Sequence, residues 1–350
     1  QQETLFPYTT LFRSRNQVRQ YYFDHYPVKA EFRKQAHFNP GNGWVSPLCH
    51  EPGVAHRVLQ SLLAPALQKG LLSLYLQTVV REVHPSGATR SESACIQNLA
   101  TSGCEKIFFF YLLDATENGD LLPLADMEYR TGRESEAETG EPGAAESTQP
   151  KNVQAISACF VVEHHEGENH LIPEPQNYAF WRQYEPRLTP PWPGKLFSWE
   201  TPHPRTMETQ KLHFHPHQET MGFFSGLWTF RRLLDREQFE PGAFPSDRCL
   251  VNWPLIDYLE GDLLTCSQSK RAHHIEQARE LSRSLLFWMQ TEAPRPDGGR
   301  GWPGLKLCPE VTGSPDGLAK AVYIRESRRI KALKTIREQE VSATYRPGTT

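Results

Sequence analysis

The chain has no surplus of positive charge, no long apolar run and no paired cysteine framework, and each absence removes a class of function. Its 38 Lys and Arg are outnumbered by 41 Asp and Glu, for a net charge of −3, so it lacks the basic face on which nucleic-acid binding depends. No stretch reaches the ~20 consecutive apolar residues of a membrane-spanning helix. The seven cysteines are odd in number and show no paired spacing, which points to reduced thiols in a reducing, cytoplasmic compartment rather than to disulfides. Cys49 beside His50 could be imagined as a nucleophile, but a buried, inert thiol is the better reading. At 350 residues the chain is long enough for one large or two ordinary cores.

What is present is a mixture of helical and strand periodicities. Gln17–His25 suits a short helix stopped by Pro27. Phe38–Ser46 is a loop, because Pro40, Gly41 and Gly43 break both periods; its glycines permit either close approach to a ligand or a tight turn. After His50, the positions Val54, Val58, Leu62, Leu63, Ala66 and Leu67 recur at helical spacing up to Gly70, and Glu51 in the first turn suits the positive helix end. Leu71–Val83, Ser91–Ala100 and Lys106–Leu113 are predicted strands. The last is nearly all apolar, as a strand buried on both faces would be. It runs into the polar turn Asp114–Asp120, where an open α/β sheet would bind a ligand. Thr131–Gln149 is poor in apolar residues and predicts a linker, with a domain crossover near it. Val153–Glu163 alternates as a half-buried strand, Pro173–Pro204 predicts irregular structure, and Gly226–Leu234 and Arg248–Trp253 predict further strands. His274–Thr291 is the clearest helix, with Ile275, Ala278, Leu281, Leu285, Trp288 and Met289 on one stripe and Pro294 as its stop.

Three constellations carry possible chemistry. Near the C-terminal end, Arg325, Glu326, Arg328 and Arg329 fall within five positions beside Tyr323 and Ile324. Arginine forks grip carboxylates, phosphates or anionic rings, while a solvated run with Arg325 and Arg329 flanking Glu326 needs no ligand at all. His213, His215 and His217 alternate, so a strand would project all three to one face as metal ligands of a hydrolase, although Pro216 interrupts them. Trp181, Trp192 and Trp199, if exposed, would be stacking platforms of a carbohydrate-binding module.

Several ordered motifs add a resemblance. Asn39-Pro-Gly-Asn-Gly-Trp-Val-Ser46, Leu48-Cys-His-Glu-Pro52, Leu113-Asp-Ala-Thr116 with Gly119-Asp-Leu-Leu-Pro-Leu124, Val251-Asn-Trp-Pro254 with Asp257-Tyr258, Gln290-Thr-Glu-Ala-Pro-Arg-Pro-Asp-Gly-Gly299 and Tyr323-Ile-Arg-Glu-Ser-Arg-Arg-Ile330 together resemble a family of bacterial FAD-dependent oxidoreductases over most of residues 15–342. The resemblance implies FAD, a small-molecule substrate and no metal. It implies an α/β (α+β) fold, with a partial FAD-binding, Rossmann-like domain at 15–135, a β-rich substrate domain with one long helix at 136–312 and a return segment at 313–350. It makes Asn42, Gly43, Asp114, Ala115, Thr116, Gly119 and Asp120 the cofactor-side residues. His50, by residue type either a structural histidine or a proton carrier near neutral pH, becomes the candidate acid/base, and Arg325, Glu326, Arg328 and Arg329 the charged group at the ring or substrate. The chain departs from the pattern at Glu117, where the family commonly has glycine, and at Ile256, where Asn is usual. No Gly-x-Gly-x-x-Gly loop of the kind that leaves a strand and opens a helix under a diphosphate is found. Residues 1–14 resemble translated sequencing adapter, which makes the chain an expected internal fragment unable to hold FAD tightly by itself.

Overall fold

Helices and sheets are mixed, 28% helix and 18% strand, in a computed structural model that describes residues 7–85, 91–217 and 226–346. Among these residues every pairing between extended strands is antiparallel. No helix among them is long and apolar enough to cross a membrane. The chain divides into two compact units: Gln1–Leu72, Ser157–Tyr258 and Ile275–Tyr323 form the first, and Ser73–Ile156, Leu259–His274 and Ile324–Thr350 the second.

The first unit is built on a four-stranded sheet in the order Leu305–Leu307, Phe160–His164, Arg248–Val251, Arg232–Leu234. Phe160–His164 is an interior strand, and Phe160, Val161 and Val162 are at most 1% exposed. The alternation at 153–163 predicted a half-buried strand. Flanking strands on both edges and cover on both faces bury it throughout, which a period-two pattern of mixed residues does not announce. Gly226–Leu234 begins as a helical turn, Leu227–Phe230, before the strand Arg232–Leu234; all four turn residues are buried, so no alternation marks it. The helix Gln268–Thr291 keeps its expected stripe, with Ala278, Leu281, Leu285, Trp288 and Met289 buried. Each large side chain of that stripe contributes about 1.5–3 kcal/mol. A second cluster joins Val18 and Tyr22 of the helix Pro7–His25, Val54 and Val58 of the helix Pro52–Gln68, and Phe38, Leu234 and Phe239. The first of these helices starts at Pro7 rather than Gln17; residues 1–6 of the adapter-like segment lie outside the described residues.

The second unit holds a three-stranded meander, Thr78–Pro85, Ser91–Asn98 and Cys104–Phe108. Here the expectation for Lys106–Leu113 fails. The strand ends at Phe108 on the sheet edge, and Phe108, Phe110, Tyr111 and Leu113 are 73%, 96%, 86% and 83% exposed. An apolar run records a demand for cover but not whether a second strand supplies it. Because the sheet is antiparallel, the rule placing ligands at the carboxyl ends of parallel strands does not apply. The expected strand at Leu71–Val83 begins only at Thr78. A short ladder pairs Tyr129–Arg130 with Arg329–Ile330, and the 131–149 segment is organised by a capping box in which Ser135 and Glu138 satisfy each other's backbone at the turn Glu136–Thr139.

Candidate functional site

In the second unit the Asp114–Asp120 turn and the arginine-rich tail meet, although Asp120 and Arg328 are 208 positions apart. The turn is closed by its own side chains. The Asp114 carboxylate accepts from Thr116 N at 2.9 Å, Thr116 Oγ1 at 2.7 Å and Leu121 N at 3.2 Å, and Thr116 Oγ1 accepts from Asp120 N at 2.7 Å. Gly119 has φ +62°, and a Cβ there would stand 2.9 Å from the Arg328 carbonyl, so the motif needs glycine for close packing against its partner segment. Arg328 is 9% exposed. Its guanidinium donates to the Asn118 carbonyl at 2.9 Å, to Asp120 Oδ1 at 3.1 Å and to the Leu264 carbonyl at 2.8 Å, leaving Nε buried without a partner.

Asp114, Thr116, Gly119 and Arg328 line a cavity of about 520 Å³ together with Phe109, Phe110, Tyr111 and Leu112, and Leu122, Met127 and Ile330 add to its apolar lining. Its size falls in the ordinary range for small-molecule sites, about 300–1,000 Å³. Asp114, Thr116, Gly119 and Arg328 therefore come together, and Ala115 and Asp120 belong to the same turn. The other members of the tail point elsewhere. Arg325 donates to the Ala155 carbonyl at 2.7 Å; Glu326 accepts from Gln154 N at 3.0 Å and from Arg329 at 2.7 Å, and Arg329 also reaches the Gly132 carbonyl. They line a second, more polar cavity of about 690 Å³ with Glu134 and Gly143. The arginine run is thus neither a single clamp nor a solvated face. It stitches three distant turns, and Arg328 is the member that also lines the apolar cavity.

Asn42, Gly43 and His50 belong to the first unit. Asn39 holds their loop, accepting from Cys49 N at 2.6 Å and donating to the Gly43 and Ser46 carbonyls. A Cβ on Gly41 would lie 1.9 Å from the Arg232 carbonyl and one on Gly43 2.8 Å from Cys49 Sγ, so what these glycines approach is the protein's own chain. Asn42, at φ +44°, donates to Asp235 at 3.2 Å. His50 Nδ1 donates to the Glu51 carbonyl at 3.0 Å. Burial pushes the Cys49 thiol up, in keeping with an inert cysteine. Glu51 stands at the N-cap position of the helix Pro52–Gln68 without a side-chain capping bond; its carboxylate accepts from Tyr26 at 2.9 Å and from Arg248 at 2.5 Å, and Arg248 also donates to Glu163 at 2.9 Å. This buried network, whose members lie far apart in sequence, left no sequence signal.

The alternative constellations do not assemble. His217 donates to the His164 carbonyl at 3.0 Å and His215 to the Pro216 carbonyl at 2.9 Å, while His213 is exposed; the side-chain groups near enough to share a metal ion, among the described residues, do not include these three. Trp181 and Trp199 are 1% and 8% exposed, packed against Tyr184 and Tyr258 and against Phe214 and Trp288. Core demand has claimed them as it claims most large aromatics, so they offer no open face for a sugar. A literal Gly-x-Gly-x-x-Gly spacing does occur at Gly299, Gly301 and Gly304. It enters the strand Leu305–Leu307 instead of opening a helix, and Gly301 and Gly304 lie against the Gln290 and His165 carbonyls, so its glycines serve internal packing.

With this geometry in place, the comparison with known families is decisive at the level of class: the model for FAD dependent oxidoreductases matches residues 5–349, and the chain belongs to that family. FAD is accordingly its cofactor. No curated protein and no solved structure matches the chain.

Proposed function

We propose that the chain exchanges a hydride between a small organic substrate and FAD, and that the cavity between Phe109–Leu112 and Arg328 receives the flavin ring system. The observation that carries this is the meeting of the Asp114–Asp120 turn with Arg328 at the lining of an apolar cavity of about 520 Å³. The residues suit the ring. Phe110 and Tyr111, 96% and 86% exposed, offer aromatic faces for offset stacking, and Arg328 keeps an unpaired buried Nε on a group that is charged at any working pH. No strand-to-helix glycine loop among the described residues suits the diphosphate. When bound, the flavin supplies the hydride chemistry. Arg328 supplies fixed positive charge at the cavity wall, Asp120 and the Asn118 and Leu264 carbonyls hold that charge in place, and the apolar wall excludes water.

The test is a titration with FAD and, separately, with lumiflavin, which has the ring alone, following quenching of flavin fluorescence. Phe110→Ser touches an exposed side chain and leaves the fold intact; it is expected to weaken lumiflavin binding about tenfold, the loss of one stacking contact of roughly 1.4 kcal/mol. Equal quenching by the parent chain and by Phe110→Ser would place the flavin elsewhere.

A further inference from the structure

The turn that leaves the strand Phe160–His164 gathers His165, Glu168 and His170, and we propose that these three side chains form a site for a divalent transition-metal ion, zinc by their chemistry. Their ligand atoms all lie within 4.8 Å of one another. The Glu168 carboxylate sits between the two rings, with Oε2 2.6 Å from His170 Nε2 and Oε1 3.6 Å from His165 Nδ1. The rings are 5.4 Å apart at 69° and do not stack face to face.

Two features distinguish this group from a chance surface ion pair. The first is the backbone. Glu168 N donates to the His165 carbonyl at 3.2 Å to close the turn, Gly167 takes φ +79°, and His165 N and His170 N donate to the Gly304 and Pro303 carbonyls at 2.9 and 2.8 Å. Both ends of the six-residue turn are pinned, so an ion does not have to order it.

The second is the partner behind His165. Its Nε2 lies 2.9 Å from Glu163 Oε2, and Glu163 is 4% exposed and paired with Arg248. The bond assigns the ring hydrogen to Nε2, which leaves the lone pair on Nδ1, the nitrogen that faces Glu168. A buried carboxylate behind the imidazole is how metal-ligating histidines are commonly oriented. Two imidazoles and one carboxylate suit zinc, whereas calcium and magnesium favour all-oxygen sets. Glu168 is 55% exposed, so water completes the coordination. Such an ion would fasten the 165–170 turn beside Pro303–Gly304. The site shares no residue with the proposed flavin cavity and stands or falls apart from it.

Competition for Zn²⁺ between the full chain and a chromophoric chelator tests the proposal, with His170→Ala and Glu168→Gln as the site variants and His213→Ala as the control. Both site substitutions are at partly exposed positions, and far-UV circular dichroism checks that each variant is folded. The expected result is uptake of one equivalent by the parent chain, at least about a tenfold loss of affinity in each site variant, and no change in His213→Ala. Absence of stoichiometric uptake, or an equal loss in His213→Ala, overturns it.

Discussion

Arg248→Met is expected to destabilise the first unit by about 3–5 kcal/mol, the usual consequence of stranding buried carboxylates by removing their cation. Arg248 touches Glu51, Glu163 and Glu310, whose side chains are 7%, 5% and 56% exposed. The pair with Glu310 is close to the surface and adds little; the other two set the cost. Burial alone would lower the Arg248 pKa, but Glu51 and Glu163 override it and raise it, the sign expected of a cation held by its partners. Tyr22 and Tyr26 still donate to Glu51, and His165 stays beside Glu163, which favours the lower end, about 3 kcal/mol. All eight tryptophans fall in the first unit, so urea unfolding followed by tryptophan fluorescence reads that unit directly. A loss of this size moves the midpoint by about 1 M or more. Adding Glu51→Gln and Glu163→Gln to Arg248→Met neutralises the stranded charges and should restore much of the loss. A single variant within about 1 kcal/mol of the parent, or a triple variant less stable than the single, would refute the account.

Three further expectations use the same chain. Gly41→Ala should cost about 1–3 kcal/mol or more by forcing a Cβ against the Arg232 carbonyl, whereas Gly53→Ala, with open space in the helix Pro52–Gln68, should be neutral or stabilising by up to about 1 kcal/mol; paired thermal melts compare them. Maleimide labelling of the native chain, mapped by mass spectrometry, should reach exposed Cys104 well before Cys249 and Cys308, whose thiols burial pushes up; equal rates would contradict the buried assignment. Burial would raise the Asp316 carboxyl, but Arg279 and then Arg283 hold it below the ordinary value. Its contribution is therefore complete above the unfolded-state value of about 3.9 and is lost as pH falls through the lower folded value. Asp316→Asn should flatten the acid limb of stability below about pH 4, and an unchanged limb would count against the pairing.

Local order was legible wherever one segment decides its own fate. The stripe from Ala278 to Met289, the proline stops and the helix opening at Pro52 follow from spacing and from proline at the first helical position, and the family, and with it the cofactor, was legible as a resemblance. What spacing withholds is the partner. The glycines at 41 and 43 announced a close approach, and only the folded chain shows that it is to Arg232. The apolar run at 106–113 asked for cover, and only the sheet order leaves it on an edge with Phe110 and Tyr111 open. Asp120 and Arg328 meet because two turns are brought together by a fold, not by any periodicity. His165, Glu168 and His170 went unread because their spacing matches neither helix nor strand, and it takes the turn at Gly167 to bring their ligand atoms within 4.8 Å of one another. Sequence fixes what each segment can do alone through short-range sterics and hydrogen bonding, whereas burial and the convergence of distant charges are properties of the packed chain.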